Sequence, residues 1–185
     1  MITEIRLCLR HSGRISRRKR IIFHSGLNVI AGPNGSGKSS LLRAVYECPS
    51  CCIGHHGETQ YEFFDSETMN PHRTDDGFGG AQGSLIRIRA MFSSHGETMR
   101  DVLRFLKVKK GLTLLLDEPE AGHDFQWVRR IRHGLQELAG QGCQVIAASH
   151  HPLFWNAAHV IELCPGYIQR TRRQFQRALS KQQSS

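Results

Sequence analysis

The stretch Gly32-Pro-Asn-Gly-Ser-Gly-Lys-Ser39 decides the fold of this chain. It fits the pattern G-x-x-x-x-G-K-[ST], whose glycines let the backbone wrap around a phosphate and point N–H groups at it. The apolar run Leu27–Ala31 precedes it as a predicted strand, and Ser39–Tyr46 follows it as a predicted helix. A strand, a glycine-rich turn and a helix N-terminus in this order are typical of a loop that binds nucleotide phosphates.

Two residues at the end of this phosphate-binding loop (P-loop) have separate predicted roles. The lysine, Lys38, brings positive charge to the β- and γ-phosphates, and the hydroxyl of Ser39 is a ligand for Mg²⁺. The sequence therefore predicts a nucleotide site made by Gly32, Pro33, Asn34, Gly35, Ser36, Gly37, Lys38, Ser39 and Ser40.

Short apolar runs elsewhere indicate an α/β fold. Leu112–Leu116, Gln144–Ala148 and Val160–Leu163 are predicted strands, and the first of these is apolar on both faces, as in a parallel sheet covered on both sides. A helical pattern extends from Asp124, a predicted N-cap, to Gly140, and makes a βαβ crossover. We expect a parallel sheet flanked by helices.

Two acids, Asp117 and Glu118, directly follow the apolar strand Leu112–Leu116. Ligands of open α/β sheets bind beside the carboxyl ends of the strands, so both acids should face the P-loop. Asp117 would hold Mg²⁺ through water, and Glu118 would orient or deprotonate the attacking water. The plainer alternative is a strand that ends in solvated acids.

Length and composition fit one globular domain. The chain has 185 residues, 39% hydrophobic and 22% charged, and contains no run of 18 apolar residues. Its first residues lack the layout of a secretory signal, so we expect a cytoplasmic protein that is not membrane-embedded. We assign residues 1–168 to the domain and 169–185 to a basic tail that is partly helical or disordered.

The net charge of +9 arises from 25 Lys and Arg against 16 Asp and Glu. Much of the excess lies near the two ends of the chain, where it suits a polyanionic partner such as nucleic acid or forms a solvated surface. The residues concerned are Arg14, Arg17, Arg18, Lys19, Arg20, Arg170, Arg172, Arg173, Arg177 and Lys181.

Residues 48–84 are rich in Gly, His, Asp and Thr, and we expect a mobile surface segment in which only Tyr61–Phe64 resembles a strand. A cluster of soft metal ligands opens this segment: Cys48, Cys51, Cys52, His55 and His56. Zinc sites normally join two ligand pairs separated by a longer loop, so this compact group matches weakly. It is either a metal site or a plain cysteine-rich loop, and the cysteines are otherwise expected to be reduced thiols.

Several motifs together resemble the ATP-binding-cassette (ABC) ATPases. Gly32–Ser40, Leu114–Pro119 and Ala148–His150 are similar to the Walker A, Walker B and switch-histidine motifs of that family. Ser93–Glu97 is similar to the LSGGQ signature, with His95 in place of its first glycine, and Asp124 occupies the end of the D-loop. Ser94 and Glu97 also have the spacing of a capping box for a predicted helix that contains Met99 to Leu106.

The resemblance implies a P-loop NTPase fold with an antiparallel N-terminal β part, and ATP and Mg²⁺ as cofactors. It implies a homodimer that closes on ATP, in which the signature residues Ser94, His95, Gly96 and Glu97 contact the partner's nucleotide. Glu118 and His150 would be catalytic, with His150 near the γ-phosphate. Asp65 or Gln82 stands where the family has its Q-loop glutamine, and Asp65 would join Ser39 and Asp117 around the metal.

The opening of the P-loop resembles the SMC, Rad50 and RecF branch and small stand-alone ATPases, and the helical subdomain, at about residues 48–95, is reduced. These features favour an ATPase that drives a conformational change in a partner, with DNA-related processes as one setting. The alternative is the ATP-hydrolysing subunit of a membrane transporter. A P-loop kinase or GTPase, and a protein that binds nucleotide without hydrolysis, are further alternatives.

Overall fold

The computed structural model describes residues 1–15, 19–58, 60–65 and 111–182. In chain order these residues form β1 (Ile2–Arg6), α1 (Leu9–Ile15), β2 (Arg20–Ile22), β3 (Gly26–Ala31), α2 (Lys38–Glu47), β4 (Cys52–His55), β5 (Gln60–Asp65), β6 (Leu112–Asp117), α3 (Phe125–Gly140), β7 (Gln144–Ala148), a 3₁₀ helix (Pro152–Asn156), β8 (His159–Glu162) and α4 (Tyr167–Gln182). The fold is the expected α/β architecture, with a parallel sheet flanked by helices and a separate antiparallel sheet.

Five strands form the parallel sheet in the order β5–β6–β7–β3–β8. Asp65 pairs with Asp117, and Asp117 pairs with Ala148, which also pairs with Ile30 of β3. The carboxyl ends of four strands are therefore level with one another. This alignment brings the residues that follow β3, β6 and β7 to the same edge of the sheet, where ligands of such folds bind.

Alternate residues of the central strands enter two different cores. Val29, Leu114 and Val145 face a core closed by α3 and the 3₁₀ helix. The next residue on each of these strands faces a second core that contains α2 and the antiparallel sheet; these residues are Ile30, Leu115 and Ile146. Burial on both faces explains why these strands are apolar without alternation.

The antiparallel sheet has the order β2–β1–β4 and is tied to the parallel sheet by a buried glutamine. Gln144 lies at the start of β7 and is fully buried. Its amide donates to the carbonyls of Ile2, at 2.7 Å, and His24, at 2.8 Å, while its Oε1 accepts from the Ile2 N–H at 2.7 Å. The Thr113 hydroxyl donates to the same Oε1 at 3.0 Å. One side chain thereby holds the two sheets in register.

The predicted strands and the two predicted helices that the structure describes are confirmed, within about two residues at their ends. Asp124 is the N-cap of α3, and its carboxylate accepts from the Trp127 N–H at 2.8 Å. Within the segment expected to be mobile, β5 confirms the predicted strand at Tyr61–Phe64 and pairs with β6. The strand β4, which pairs with β1, was not predicted there. The predicted helix at Met99 to Leu106 lies in a part of the chain that the structure does not describe.

The C-terminal segment is helical as far as Gln182, and α4 begins two residues before the tail proposed from composition. Phe175 and Leu179 are more than half exposed on this helix. Throughout residues 1–15, 19–58, 60–65 and 111–182, no helix combines the length and apolar character needed to cross a bilayer.

Candidate nucleotide site

The P-loop connects β3 to α2 and depends on glycine at specific positions. Gly35 and Gly37 have φ of +75° and +91°, a region that side chains disfavour. A Cβ on Gly37 would also lie 2.8 Å from the Cα of Ile15, and one on Gly32 would lie 2.5 Å from the hydroxyl of Ser36. At these two glycines the loop therefore packs too closely against Ser36 and against the end of α1 to accommodate a side chain.

This loop offers the groups that a phosphate requires. Gly37 caps α2 without a side-chain hydrogen bond, so the first N–H groups of the helix point toward the cleft. Lys38 is 4% exposed, and its Nζ donates to the carbonyls of Gly32, at 3.0 Å, and Pro33, at 3.2 Å. Among the described residues, the Ser36 hydroxyl is buried and has no hydrogen-bond partner. A buried cation and an unsatisfied donor both fit an anionic ligand.

A cleft of about 580 Å³ opens over the loop. Its lining joins three parts of the chain: the P-loop with the start of α2, Glu118 after β6, and Arg14 from α1. From the sequence alone, Arg14 belongs only to the basic run near the N-terminus. The structure places it at the mouth of the phosphate cleft, where a guanidinium can pair with phosphate oxygens.

Two oxygen ligands suited to Mg²⁺ meet beside the cleft. The Ser39 hydroxyl donates to Oδ1 of Asp117 at 3.1 Å. Asp117 is 5% exposed, and its burial raises the pKa of the carboxyl to about 6; the negative charges of Asp65 and Glu118 act in the same direction. The negative charge of a buried carboxylate is unfavourable unless a cation lies beside it. The Asp117 carboxylate and the Ser39 hydroxyl also supply the oxygen ligands that Mg²⁺ prefers.

Asp65, the residue at the predicted Q-loop position, ends β5 directly beside Asp117. Its carboxylate accepts from Nη2 of Arg43 on α2 at 2.9 Å, and it is 4% exposed. The rival residue Gln82 falls in the stretch between 65 and 111 for which no placement is described. Asp65 is therefore close to the proposed metal ligands but is already held by a cation.

The two residues predicted to be catalytic contact each other. Nδ1 of His150 lies 3.3 Å from Oε1 of Glu118. Glu118 has φ of +48°, the one positive value among the described residues other than glycine, and its N–H donates to the Ala148 carbonyl at 2.9 Å. A strained backbone of this kind is found where function fixes the direction of a side chain.

Glu120 is a site residue that sequence reasoning missed. It is 5% exposed, and one carboxylate oxygen accepts from the Ser149 hydroxyl at 2.6 Å and from the His150 N–H at 3.3 Å. Burial raises the pKa of this carboxyl. Glu120 thus holds the loop after β7 next to the loop after β6. No periodicity or spacing in the sequence distinguishes it from the neighbouring acids.

The signature residues Ser94, His95, Gly96 and Glu97 lie outside the described residues, so their position relative to the cleft stays a prediction. Asp124 is placed, as the N-cap of α3, at the end of the loop that also contains Glu118 and Glu120. Its D-loop role across a dimer interface likewise stays a prediction.

Comparisons with known proteins agree with this geometry. Residues 102–156 match a family described as "AAA domain, putative AbiEii toxin, Type IV TA system", and residues 8–48 match one described as "AAA domain". ABC transporter I family member 1 from Arabidopsis thaliana is 26% identical over 197 residues, which cover 86% of each chain.

Among solved structures, an ATP-binding cassette of an ABC transporter in its ADP conformation matches with a TM-score of 0.52. The match covers 88% of this chain and 87% of the cassette at 13% identity. These similarities do not single out the SMC, Rad50 and RecF branch. They show an α/β P-loop chain with the fold of an ATP-binding cassette and with sequence similarity to AAA and ABC ATPases.

Proposed function

We propose that this chain binds ATP with Mg²⁺, hydrolyses it to ADP and phosphate, and closes as a homodimer while ATP is bound. The observation that carries the proposal is the meeting of three strand ends at one cleft. Ser39 bonds to Asp117 at 3.1 Å, and Glu118 contacts His150 at 3.3 Å beside the P-loop. A loop that only capped a helix would not need this acid–histidine pair next to it.

The proposed chemistry assigns a separate task to each group. Lys38 and the first N–H groups of α2 hold the phosphates, and Arg14 adds charge at the mouth of the cleft. Ser39 and Asp117 hold Mg²⁺, with Asp65 as a neighbouring carboxylate; the metal supplies charge compensation at the phosphate oxygens. Glu118 accepts a proton from the attacking water, and His150 orients Glu118 or donates to the γ-phosphate.

The dimer completes the proposed site. From the family resemblance, Ser94, His95, Gly96 and Glu97 of one protomer contact the nucleotide of the other, and Asp124 lies at the interface. ATP binding would then be converted into closure of two protomers, and hydrolysis into reopening. A partner that senses closure would receive the mechanical output.

Two kinds of partner are compatible with the proposed ATPase: a membrane transporter and DNA. A transporter subunit is supported by the names of the relatives, which are an ABC transporter family member and a transporter cassette. A DNA-related role, as in the SMC, Rad50 and RecF branch, is supported by the exposed basic helix α4, which contains Arg170, Arg172, Arg173 and Arg177. A cytoplasmic location stays a prediction in both cases.

Sedimentation of the Glu118→Gln variant with and without ATP tests the central claim. The amide cannot accept the proton from water, so we expect slow hydrolysis and ATP-dependent dimers. Lys38→Ala should bind no ATP and stay monomeric, and Glu137→Gln, near the C-terminal end of α3, should resemble the wild type. If Glu118→Gln hydrolyses ATP at the wild-type rate, Glu118 is not the general base. If Lys38→Ala still binds ATP, the P-loop assignment is wrong.

Two further assays separate the partners. Binding to duplex DNA that falls steeply as salt increases would support the nucleic-acid role, because counterion release makes such binding salt-dependent. No binding at low salt would exclude it. Co-purification with an integral membrane protein, dependent on closure of the dimer, would support the transporter role.

A further inference from the structure

Four side chains with metal-binding atoms converge at the end of α2 remote from the P-loop. They are Cys8, His11, Cys48 and Cys51, and their ligand atoms all lie within 4.8 Å of one another. The Sγ of Cys8 is 3.2 Å from Nδ1 of His11, and the Sγ of Cys51 is 3.5 Å from the same nitrogen. Nothing in the proposed ATPase chemistry uses these residues.

The two sulfur–nitrogen distances are those expected of ligands around a single small ion. Zinc bonds of about 2.3 Å to sulfur and about 2.05 Å to nitrogen at tetrahedral angles place two sulfurs about 3.8 Å apart, and sulfur and nitrogen about 3.5 Å apart. The two sulfur–nitrogen separations of the cluster, 3.2 and 3.5 Å, are close to this value. Three thiolates and one imidazole also form one of the donor sets of structural zinc sites.

Local backbone geometry brings the ligands together in two pairs. Cys8 and His11 lie in the turn that opens α1, where the N–H groups of His11 and Ser12 donate to the Cys8 carbonyl. Cys48 is the C-cap of α2, and the Cys51 N–H donates to its carbonyl at 3.4 Å. The Cys8 N–H also donates to the Cys51 sulfur at 3.4 Å, as backbone groups do around metal-bound thiolates. Two pairs on short turns, far apart in sequence, match the spacing of a zinc site.

The cluster also corrects the grouping made from the sequence. Cys51 is buried and Cys8 and Cys48 are half-buried against the core, whereas Cys52 is exposed. The ring of His55 instead contacts the Tyr61 hydroxyl, at 2.7 Å from Nδ1. β4 begins at Cys52 and carries the chain away, so only the first two residues of the compact group reach the site.

We propose that Cys8, His11, Cys48 and Cys51 bind one structural Zn²⁺. Four protein ligands leave no open position, so the ion cross-links α1 to the end of α2 and performs no chemistry itself. At their other ends the same two helices meet where Ile15 contacts Gly37. The ion therefore fixes the position of α1, and with it Arg14 at the cleft. The link to Arg14 rests on the proposed function, but the metal site does not.

Metal analysis of the purified full chain tests the site directly. Protein produced in zinc-supplemented medium should contain stoichiometric zinc by plasma mass spectrometry. Replacement by Co²⁺ should give the intense thiolate charge-transfer bands and the visible bands of tetrahedral cobalt. Cys8→Ser and Cys48→Ser should lose the zinc, and Cys52→Ser, changed beside the site, should keep it.

Two further measurements address a variant that fails to fold. The conservative variant His11→Cys keeps a four-ligand set and should retain zinc, while His11→Ala should lose it. Wild-type protein stripped with a chelator should show a lower Tm, restored by Zn²⁺ and not by Mg²⁺. Substoichiometric zinc in the wild type, equal zinc in Cys8→Ser and Cys52→Ser, or thiol titration that finds Cys8, Cys48 or Cys51 in a disulfide would overturn the proposal. None of these readouts depends on ATP hydrolysis.

Discussion

Replacing Asp117 with asparagine should stabilise the nucleotide-free protein while it removes Mg²⁺-dependent ATP binding. The carboxyl lies at the end of β6, 5% exposed, and its pKa rises from the ordinary value of 3.8 to about 6 because burial disfavours the charged form. Asparagine keeps an oxygen that can accept the Ser39 hydroxyl and carries no charge. The substitution therefore removes a cost of folding and leaves the main contact in place.

The magnitude follows from the pKa. A difference of about two pKa units at about 1.4 kcal/mol per unit gives up to about 3 kcal/mol of added stability for Asp117→Asn at pH 7. The folded state holds the Asp117 proton more tightly than the unfolded state. The wild type should therefore become more stable relative to the variant as pH falls from about 6 to about 4. Well below pH 4 the carboxyl is protonated in both states, and the part of the difference that depends on pH should disappear.

Urea unfolding between pH 4 and pH 8, followed by the fluorescence of Trp127 and Trp155, measures this difference. The buffers should lack nucleotide, Mg²⁺ and chelator, so that neither ligand binding nor metal removal contributes. Glu58→Gln, at an exposed residue after β4, is the control and should show no such trend. An asparagine variant that is no more stable than the wild type at pH 7, or a difference that does not change with pH, would refute the reasoning.

The remaining predictions concern three other buried contacts. Gln144→Leu leaves the Ile2 N–H and C=O groups without hydrogen-bond partners and should lower the free energy of unfolding, measured by urea denaturation, by about 3 kcal/mol or more. A decrease of less than about 1 kcal/mol would contradict this. Gly37→Ala forces a Cβ against α1 at positive φ and should weaken binding of a fluorescent ATP analogue at least about tenfold; unchanged affinity would argue against it. Glu120→Ala releases His150 and should slow hydrolysis about tenfold or more with ATP affinity retained; equal loss of both would indicate a purely structural role.

Periodicity and motif spacing predicted most of the sheet and the centre of the site. Leu114, Leu115 and Leu116 of β6 are apolar in succession because the strand is buried on both faces, and the strand ends at the cleft with Asp117, followed by Glu118. The P-loop could be predicted because its backbone conformation requires glycine at particular positions, and this requirement does not depend on contacts with distant parts of the chain. Local rules of this kind act over a few residues, so a single sequence reveals them.

Contacts between distant segments could not be predicted in this way. α1 contains a glycine and only two large apolar residues, so its seven residues give no clear helical period. Its position against α2, which places Arg14 at the cleft and Cys8 beside Cys51, depends on the packing of Ile15 in the second core, to which the proposed zinc ion adds a second link. The role of Glu120 likewise depends on the loop after β7, whose hydroxyl and N–H reach it only in the folded chain.

The place of β7 in the sheet has a consequence for how the protein is made. β7 lies between β3 and β6, so these two earlier strands have no direct pairing with each other. On the ribosome, the segments that contain the P-loop and the two acids both emerge before Gln144–Ala148. β3 and β6 can be joined in one sheet only after β7 inserts between them. A nascent chain truncated before Gln144 should therefore be protease-sensitive, and one extended through β8 should become resistant in a single step.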